Sequence, residues 1–230
     1  MNMIKSLFFC SITISCLFLL PQNFAIANDI KLPKPMLNGK ISVENSMLKK
    51  KSARHFSTAP LTVEQVSQLL WAANGTLPVD AVSGATIKTL PSAGGIYPLE
   101  IFLLTGSGTV KGLPAGVFSY NSTSNSLVPI SPQDSRLSVA QAALSQLWLA
   151  AAPAVIIISA AFNKTTAKYG TRGIQYVYME SGAAVQNLYL QSEALGLKIG
   201  VAGAFDETQV STAMKMPAAV TPLLICAIGK

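Results

Sequence analysis

The sequence predicts an α+β domain, a mixed β-sheet with helices on its faces, and three observations lead to it. Ala154 to Ala161 is apolar on both strand faces, which places it inside a sheet rather than at its edge. Ile174 to Leu195 is a long helical stretch, apolar nearly all round, closed by Gly196. Between and around them, short strand-like runs and shorter helical patterns are separated by clear turn residues.

Taken in order, the chain begins with the marks of export. Lys5 precedes the uncharged, mostly apolar run Ser6 to Leu20, Pro21 interrupts it, and Ala25-Ile26-Ala27 gives a small-x-small pattern before Asn28. This predicts a cleaved Sec-type signal over residues 1–27 and a periplasmic or secreted protein without a stable membrane anchor. A retained span would need about 20 apolar residues, more than this run supplies. Lipid attachment at Cys16 conflicts with the apolar Leu17 to Leu20 that follows it.

Residues 28–48 are polar, with Pro33 and Pro35, and read as a tether ahead of a domain over residues 49–230. Thr62-x-x-Gln65 is a capping box that opens a helix with Val66, Leu69, Leu70 and Ala73 on its apolar face, and Gly75 ends it. Leu77 to Leu90 reads as a polar loop and Leu99 to Leu104 as a strand. Val117 to Tyr120 and Ser126 to Ile130 read as a hairpin. Leu137 to Ala151 reads as an alanine-rich helix stopped by Pro153. Lys198 to Ala202 is a short strand, Glu207 to Met214 a short helix and Pro222 to Ile228 a closing strand. Gly182 costs the long helix some stability and predicts a close helix–helix approach there.

Composition removes many kinds of chemistry. His55 is the one histidine, and beyond the signal only Cys226 remains, inside an apolar strand pattern where it reads as a small core hydrophobe. Cys/His zinc sites, intrachain disulfides and Cys–His nucleophile pairs are therefore ruled out unless His55 meets Cys226. Ser46-x-x-Lys49 matches one motif of serine acyl-transfer enzymes, but its partner motifs are missing. Gly106 to Gly112 lacks phosphate-loop spacing and reads as a turn. The net charge of +7 comes from 14 lysines and three arginines against ten acids, with no interleaved aromatics, which argues against nucleic acid. With few side chains suited to acid–base work, an imported cofactor is the economical reading. Half the residues are apolar and 12% are charged, so a partner subunit should cover part of the surface.

Two stretches ask for a phosphate and a flat ring. Lys49-Lys50-Lys51-Ser52-Ala53-Arg54 places four cations and a hydroxyl within six residues, an anion site or else a solvated basic run. Pro91-Ser92-Ala93-Gly94-Gly95-Ile96-Tyr97-Pro98 sets small residues between prolines, either a low backbone that a planar ligand can approach or an ordinary turn.

Six elements in order resemble the nitroreductase superfamily and, within it, the SagB-type dehydrogenases associated with thiazole and oxazole formation in peptides. They are K-K-S-A-R-H-F from Lys50, L-L-W-A-A-N-G from Leu69, P-S-A-G-G-I-Y-P-L-E from Pro91, K-Y-G-T-R-G-I-Q-Y from Lys168, M-E-S-G-A-A-V-Q-N-L-Y-L from Met179 and G-A-F-D from Gly203. Lys50 and Lys51 stand where the family carries arginines, which replaces bidentate donors by point charges.

The resemblance implies an FMN-dependent oxidoreductase built as a homodimer around its long helix, with the flavin at the interface. It implies that Lys50, Lys51, Ser52 and Arg54 meet the phosphate, ribityl chain or pyrimidine edge. Pro91, Ser92, Ala93, Gly94 and Gly95 would line the isoalloxazine, Gly203 and Ala204 would offer backbone groups near N5, and Lys230 would complete the phosphate site. The substrate would be a small organic or peptide-derived molecule in a ping-pong reaction. In the dehydrogenase branch Lys168 and Tyr169 would be catalytic, the lysine as a base and the tyrosine as a polarising neighbour. Read without the resemblance, the same two residues are an exposed lysine and a packing tyrosine. The rival readings are a flavin- or ligand-binding module without turnover, and a serine acyl-transfer enzyme using Ser46 and Lys49.

Overall fold

The structure, a computed structural model, describes residues 28–79 and 84–230. The signal expected over residues 1–27 lies outside them, as do residues 80–83 of the loop expected between Leu77 and Leu90. Among the described residues no helix is long and apolar enough to cross a membrane.

The N-terminal segment corrects the expectation of a tether. Strand β1 (Ile30–Lys31) pairs antiparallel with Leu127 and Ser126, and Leu32 is buried in the core. The Ser67 hydroxyl donates to the Pro33 carbonyl at 2.6 Å, and Gln68 brackets Met36 by accepting from its N–H and donating to its C=O. Pro33 and Pro35 hold this stretch extended, so it lies along the domain instead of wandering. Helix α1 (Val43–Lys49) follows, capped by Ser42.

Strand β2 (Leu61–Thr62) runs into α2 (Val63–Asn74), and the capping box forms as predicted, Thr62 and Gln65 each serving the other's backbone N–H. Then come β3 (Leu99–Thr105), β4 (Val110–Lys111), the hairpin β5 (Gly116–Asn121) and β6 (Ser126–Ser131), α3 (Arg136–Ala142) and α4 (Trp148–Ala151). The expected single helix from Leu137 to Ala151 is broken, because Leu144 and Ser145 take left-handed φ values of 55° and 56°. The break lets Val139, Ala140, Ala142 and Ala143 on one piece and Leu149 on the other reach the same core, and packing overrides the helix preference of alanine.

Strand β7 (Ala154–Ala160), α5 (Phe162–Tyr169), α6 (Arg172–Ala194), β8 (Lys198–Ala202), α7 (Glu207–Met214) and β9 (Thr221–Gly229) complete the chain. The main sheet has seven strands in the order β1-β6-β5-β3-β7-β9-β8, and its strand pairs are antiparallel. Parallel pairing enters through the bridge Ser52↔Ile199 beside β8 and through the small β2–β4 sheet, so the architecture is mixed as predicted.

Every residue of β7 is buried, and its side chains alternate between two cores. Ala154, Ile156 and Ile158 meet Leu69, Leu70, Val177 and Leu188 of α2 and α6. Val155 and Ile157 meet Val139, Leu149 and Val210 on the other face. Each fully buried Ile or Leu contributes about 2 kcal/mol of transfer free energy, so this central strand anchors both layers. Gly182 departs from expectation: within the chain nothing comes within 4 Å of where its Cβ would stand. The outward residues of α6 there, Tyr178 at 53% exposure with its ring edge-on to Phe162 and Met179 at 64%, are only partly covered by this chain.

Candidate active site

The stretch between the two prolines folds into a loop that bonds to itself. Gly94 and Gly95 adopt φ of 63° and 66°, which a side chain would strain, and they stand exposed in the single turn Ala93–Gly95. The Ser92 hydroxyl oxygen accepts from the Tyr97 N–H at 2.8 Å, and the Tyr97 hydroxyl accepts from the Lys88 N–H at 3.2 Å. Lys88 Nζ lies 5.5 Å from the Tyr97 ring centre. Pro91 is exposed, and Ser92 and Ala93 are half-buried.

Lys168 and Tyr169 form the last turn of α5, which Gly170 ends at φ 55°. Adjacent helical residues point about 100° apart, yet at a helix end both reach the same neighbour. A Cβ added to Gly94 would stand 2.5 Å from the Tyr169 hydroxyl and 2.9 Å from Lys168 Nζ. Tyr169 is steadied edge-on by Tyr176, with ring centres 5.2 Å apart. Lys168 is exposed on this chain, so the burial that favours a lysine base must come from something placed over it.

The basic run lies along the sheet's last strand. Lys50 caps α1 with its ammonium 4.3 Å from the Tyr189 ring centre, and Ser52 shares a 2.9 Å hydrogen bond with the Tyr189 hydroxyl. The Ala53 N–H donates to the Ile199 carbonyl at 2.8 Å, and a Cβ on Gly200 would collide with the Ala53 carbonyl and the Trp148 ring, so close backbone approach requires glycine there. Arg54 stacks near Trp148, 5.8 Å from the ring centre, and Lys51 and Arg54 are exposed. Lys230 directs its ammonium to the Pro60 carbonyl at 3.0 Å, while its own carbonyl accepts from the Ser57 N–H. Gly203 and Ala204 follow β8 and are exposed, the Ala204 carbonyl accepting from Gln146 at 3.3 Å.

The predicted residues thus fall into two groups. Register places the start of β3 at Leu99, the end of β7 at Ala160 and the start of β9 at Thr221 on one rim of the sheet. The 91–98 loop, α5 and Gly203 all leave from that rim. Ser52 meets β8 near its other end, where Lys198 faces Gly229. β7 and β9 stand between β3 and β8, about 14 Å across the sheet at ordinary strand spacing, and Ile199 lies level with Thr105 rather than Leu99, so the loop and the basic run are also about 20 Å apart along the strands.

Beneath the loop is a residue the sequence reading did not single out. Glu180 of α6 is 4% exposed, and its Oε1 has no hydrogen-bond partner. Burial pushes its carboxyl up to about 7, against the pull of the Ser92 hydroxyl and the Lys88 ammonium. Burial also lowers the pKa of Lys88. A signal was present: Glu180 is the only charged residue between Gly173 and Gln191.

Other candidates separate in space. His55 is exposed while Cys226 is fully buried, its thiol pushed up to about 12 by burial, so they form no pair. Ser46 is buried and Lys49 exposed. Among the described residues no cluster of three metal-ligating side chains occurs. A cavity of about 610 Å³ lies under residues 36–43 against α2 and α6, and its lining includes Ser46 but none of the residues expected to meet the flavin or substrate.

Residues 47–230 match the nitroreductase family model. Among curated relatives, a Methanocaldococcus jannaschii protein named as a nitroreductase is 37% identical over 190 residues, covering 83% of this chain and 91% of that protein. The microcin B17-processing protein McbC of Escherichia coli is 27% identical over 150 residues, covering 64% of this chain and 55% of McbC. A crystal structure named as a nitroreductase from Ralstonia eutropha superposes with a TM-score of 0.74 at 24% identity, covering 90% of each chain. The NADPH:FMN oxidoreductase of Vibrio harveyi, solved with NAD+, superposes with a TM-score of 0.57 at 18% identity, covering 81% of this chain and 67% of that one. At these identities the superpositions speak for the fold.

Proposed function

The chain belongs to the nitroreductase family, and from that premise we propose that it is an FMN-dependent oxidoreductase of the azoline-dehydrogenase type. It works as a homodimer outside the cytoplasm on a small organic or peptide-derived substrate. The observation that carries this reading is the meeting of Lys168 Nζ and the Tyr169 hydroxyl over the exposed backbone of Gly94. A base and a polarising hydroxyl beside a side-chain-free loop are what a substrate held against a flat cofactor needs.

The residues present fit FMN. Gly94 and Gly95 leave a shallow floor that a Cβ at position 94 would fill, while Ser52, Lys51 and Arg54 offer exposed donors for a phosphate or the polar ring edge. When bound, FMN supplies a hydride acceptor at N5. Lys168 takes up the proton that the substrate releases, and Tyr169 orients the substrate's heteroatom.

The separation of the loop from the basic run supports the homodimer. One chain presents the two groups three strands apart and at opposite ends of the sheet, and a second copy set against α6 would bring another loop to the basic run. Such a contact would also cover Tyr178 and Met179 and bury Lys168.

An absorption spectrum of the purified protein with and without added FMN, followed by anaerobic incubation with an azoline peptide, tests the reading. Flavin bands that bleach with substrate are expected. Bound flavin that no azoline bleaches would leave a flavoprotein of another specificity, and no flavin at any concentration would overturn the proposal.

A further inference from the structure

The stretch from Lys31 to Lys51 is charged unlike the rest of the chain, with six of the 14 lysines against one acid, Glu44. It also carries much of the exposed apolar surface. Met36, Leu37, Ile41, Val43, Met47 and Leu48 all stand exposed within residues 36–48, Leu37 at 76% and Leu48 at 83%. These side chains lie together. Met36, Leu37, Ile41 and Val43 line the cavity of about 610 Å³, along with Trp71, Leu77 and Leu190 of the domain beneath. Val43 and Met47 are one turn apart on α1, so they share a face, while Ser46 is turned inward and buried.

We infer that residues 34–49 are a docking surface for an anionic lipid bilayer, their apolar side chains entering the acyl boundary and their lysines meeting the headgroups. A contiguous exposed apolar patch marks an interaction site, and the charge around this one selects the partner. Lys34, Lys40 and Lys49 are exposed, and neither of the two ion pairs among the described residues involves them. A lysine stem lies along apolar surface while its ammonium stays among polar groups, which suits a bilayer boundary. A second copy fits poorly, because a two-fold contact through this face sets lysine against lysine, and lysine is depleted from protein interfaces. Nucleic acid fits poorly too, since residues 34–49 offer neither arginine nor an aromatic ring.

The acids near this surface are few. Glu44 stands in the first turn of α1, where the helix N-terminus favours a carboxylate. Glu64 opens α2 and Glu193 lies near the end of α6. Each lysine held close to an anionic surface strengthens binding about fivefold, and salt screens that attraction over roughly 10 Å. Burial of methionine, leucine, isoleucine and valine side chains in the acyl boundary is not screened in this way. The attachment is therefore peripheral and salt-sensitive, and needs no spanning helix.

Co-sedimentation of the purified protein with phosphatidylcholine vesicles, with and without phosphatidylglycerol, tests the inference. Binding to the phosphatidylglycerol vesicles should be roughly tenfold stronger or more, and should fall as sodium chloride is raised. Lys40→Ser/Lys49→Ser should lose roughly tenfold on the anionic vesicles together with part of the salt dependence. Leu37→Ser/Leu48→Ser should keep the salt dependence yet bind about tenfold more weakly. All four side chains are exposed, so both variants should unfold at the wild-type thermal midpoint. Should either fail to fold, the wild type decides by itself: phosphatidylglycerol brominated in its acyl chains should quench part of the tryptophan emission, because Trp71 lines the cavity. Equal binding to both kinds of vesicle, or bound protein that the bromines do not quench, overturns the inference. So does binding untouched by both double variants, which would assign the attachment to another part of the chain. Loss of a dimer in Leu37→Ser/Leu48→Ser, with no vesicle binding by the wild type, would give this face to a second copy and end the case for lipid.

Discussion

The Tyr169 hydroxyl occupies the space that a Gly94 side chain would need, 2.5 Å from the position of its missing Cβ. Gly94→Ala therefore faces a collision and a left-handed backbone together. The strain alone is roughly 1–2 kcal/mol, and relieving the collision must displace Tyr169 or Lys168. Substrate turnover should drop at least tenfold while the protein still unfolds cooperatively a few degrees lower. Wild-type kinetics in Gly94→Ala would show that the loop and α5 do not act on one substrate.

Lys168→Ala should abolish substrate oxidation yet leave bound FMN and its reduction by dithionite intact. The lysine is exposed and, among the described contacts, approaches only the Tyr169 ring and Gly94, so the fold has little to lose. Full turnover by this variant, followed by its absorbance change under anaerobic conditions, would return Lys168 to a surface role.

Arg54 is exposed beside Trp148, its guanidinium offering a planar fork that the lysines near it lack. Arg54→Ala should weaken FMN about tenfold, or about 1.4 kcal/mol, measured by fluorescence titration. Lys49→Ala should change little, since Lys49 belongs to the end of α1. Equal curves for wild type and Arg54→Ala would remove the arginine from the site.

Tyr178 and Met179 leave an apolar stripe on the longest helix. Light scattering at micromolar concentration should report a dimer, and Met179→Asp should yield monomers that lose flavin. A monomer that holds FMN as tightly as the wild type would end the case for a shared site.

At the proposed location outside the cytoplasm the protein would meet little NADH or NADPH. Stopped-flow reduction by either should be slow, and a rate of roughly 10 per second or more, typical of efficient enzymes, would place its work inside the cell.

The sequence foretold those parts of the fold whose cause is local. The Thr62–Gln65 box, the limits of the Glu207–Met214 helix and the doubly buried β7 each follow from side chains within one or two turns. The break at Leu144–Ser145 was not legible, because alanine favours helix and only the sheet beneath demands two directions. Nor was the docking of residues 28–36, whose hydrogen bonds run to Asn125, Ser67 and Gln68, distant in sequence. At the candidate site, Lys168 and Tyr169 were visible as a pair. Glu180 is visible in sequence only as an irregularity, the one charge between Gly173 and Gln191, of the kind that marks a buried polar group.

The two ends of the main sheet are both closed by short pieces of chain, Ile30–Lys31 against β6 and Ser52–Ala53 against β8. An open strand edge recruits other strands, and these two caps deny it that opportunity. Their shortness makes the protection easy to remove. Proteolytic clipping after Lys34 would bare the backbone of Ser126 and Leu127 and remove Leu32 and the Pro33 acceptor of Ser67, while leaving the candidate site untouched. Such a clipped protein should form aggregates with time and concentration although its enzymology, assayed fresh, is unchanged. For storage and handling, the fate of residues 30–34 therefore governs shelf life more than any residue of the candidate site.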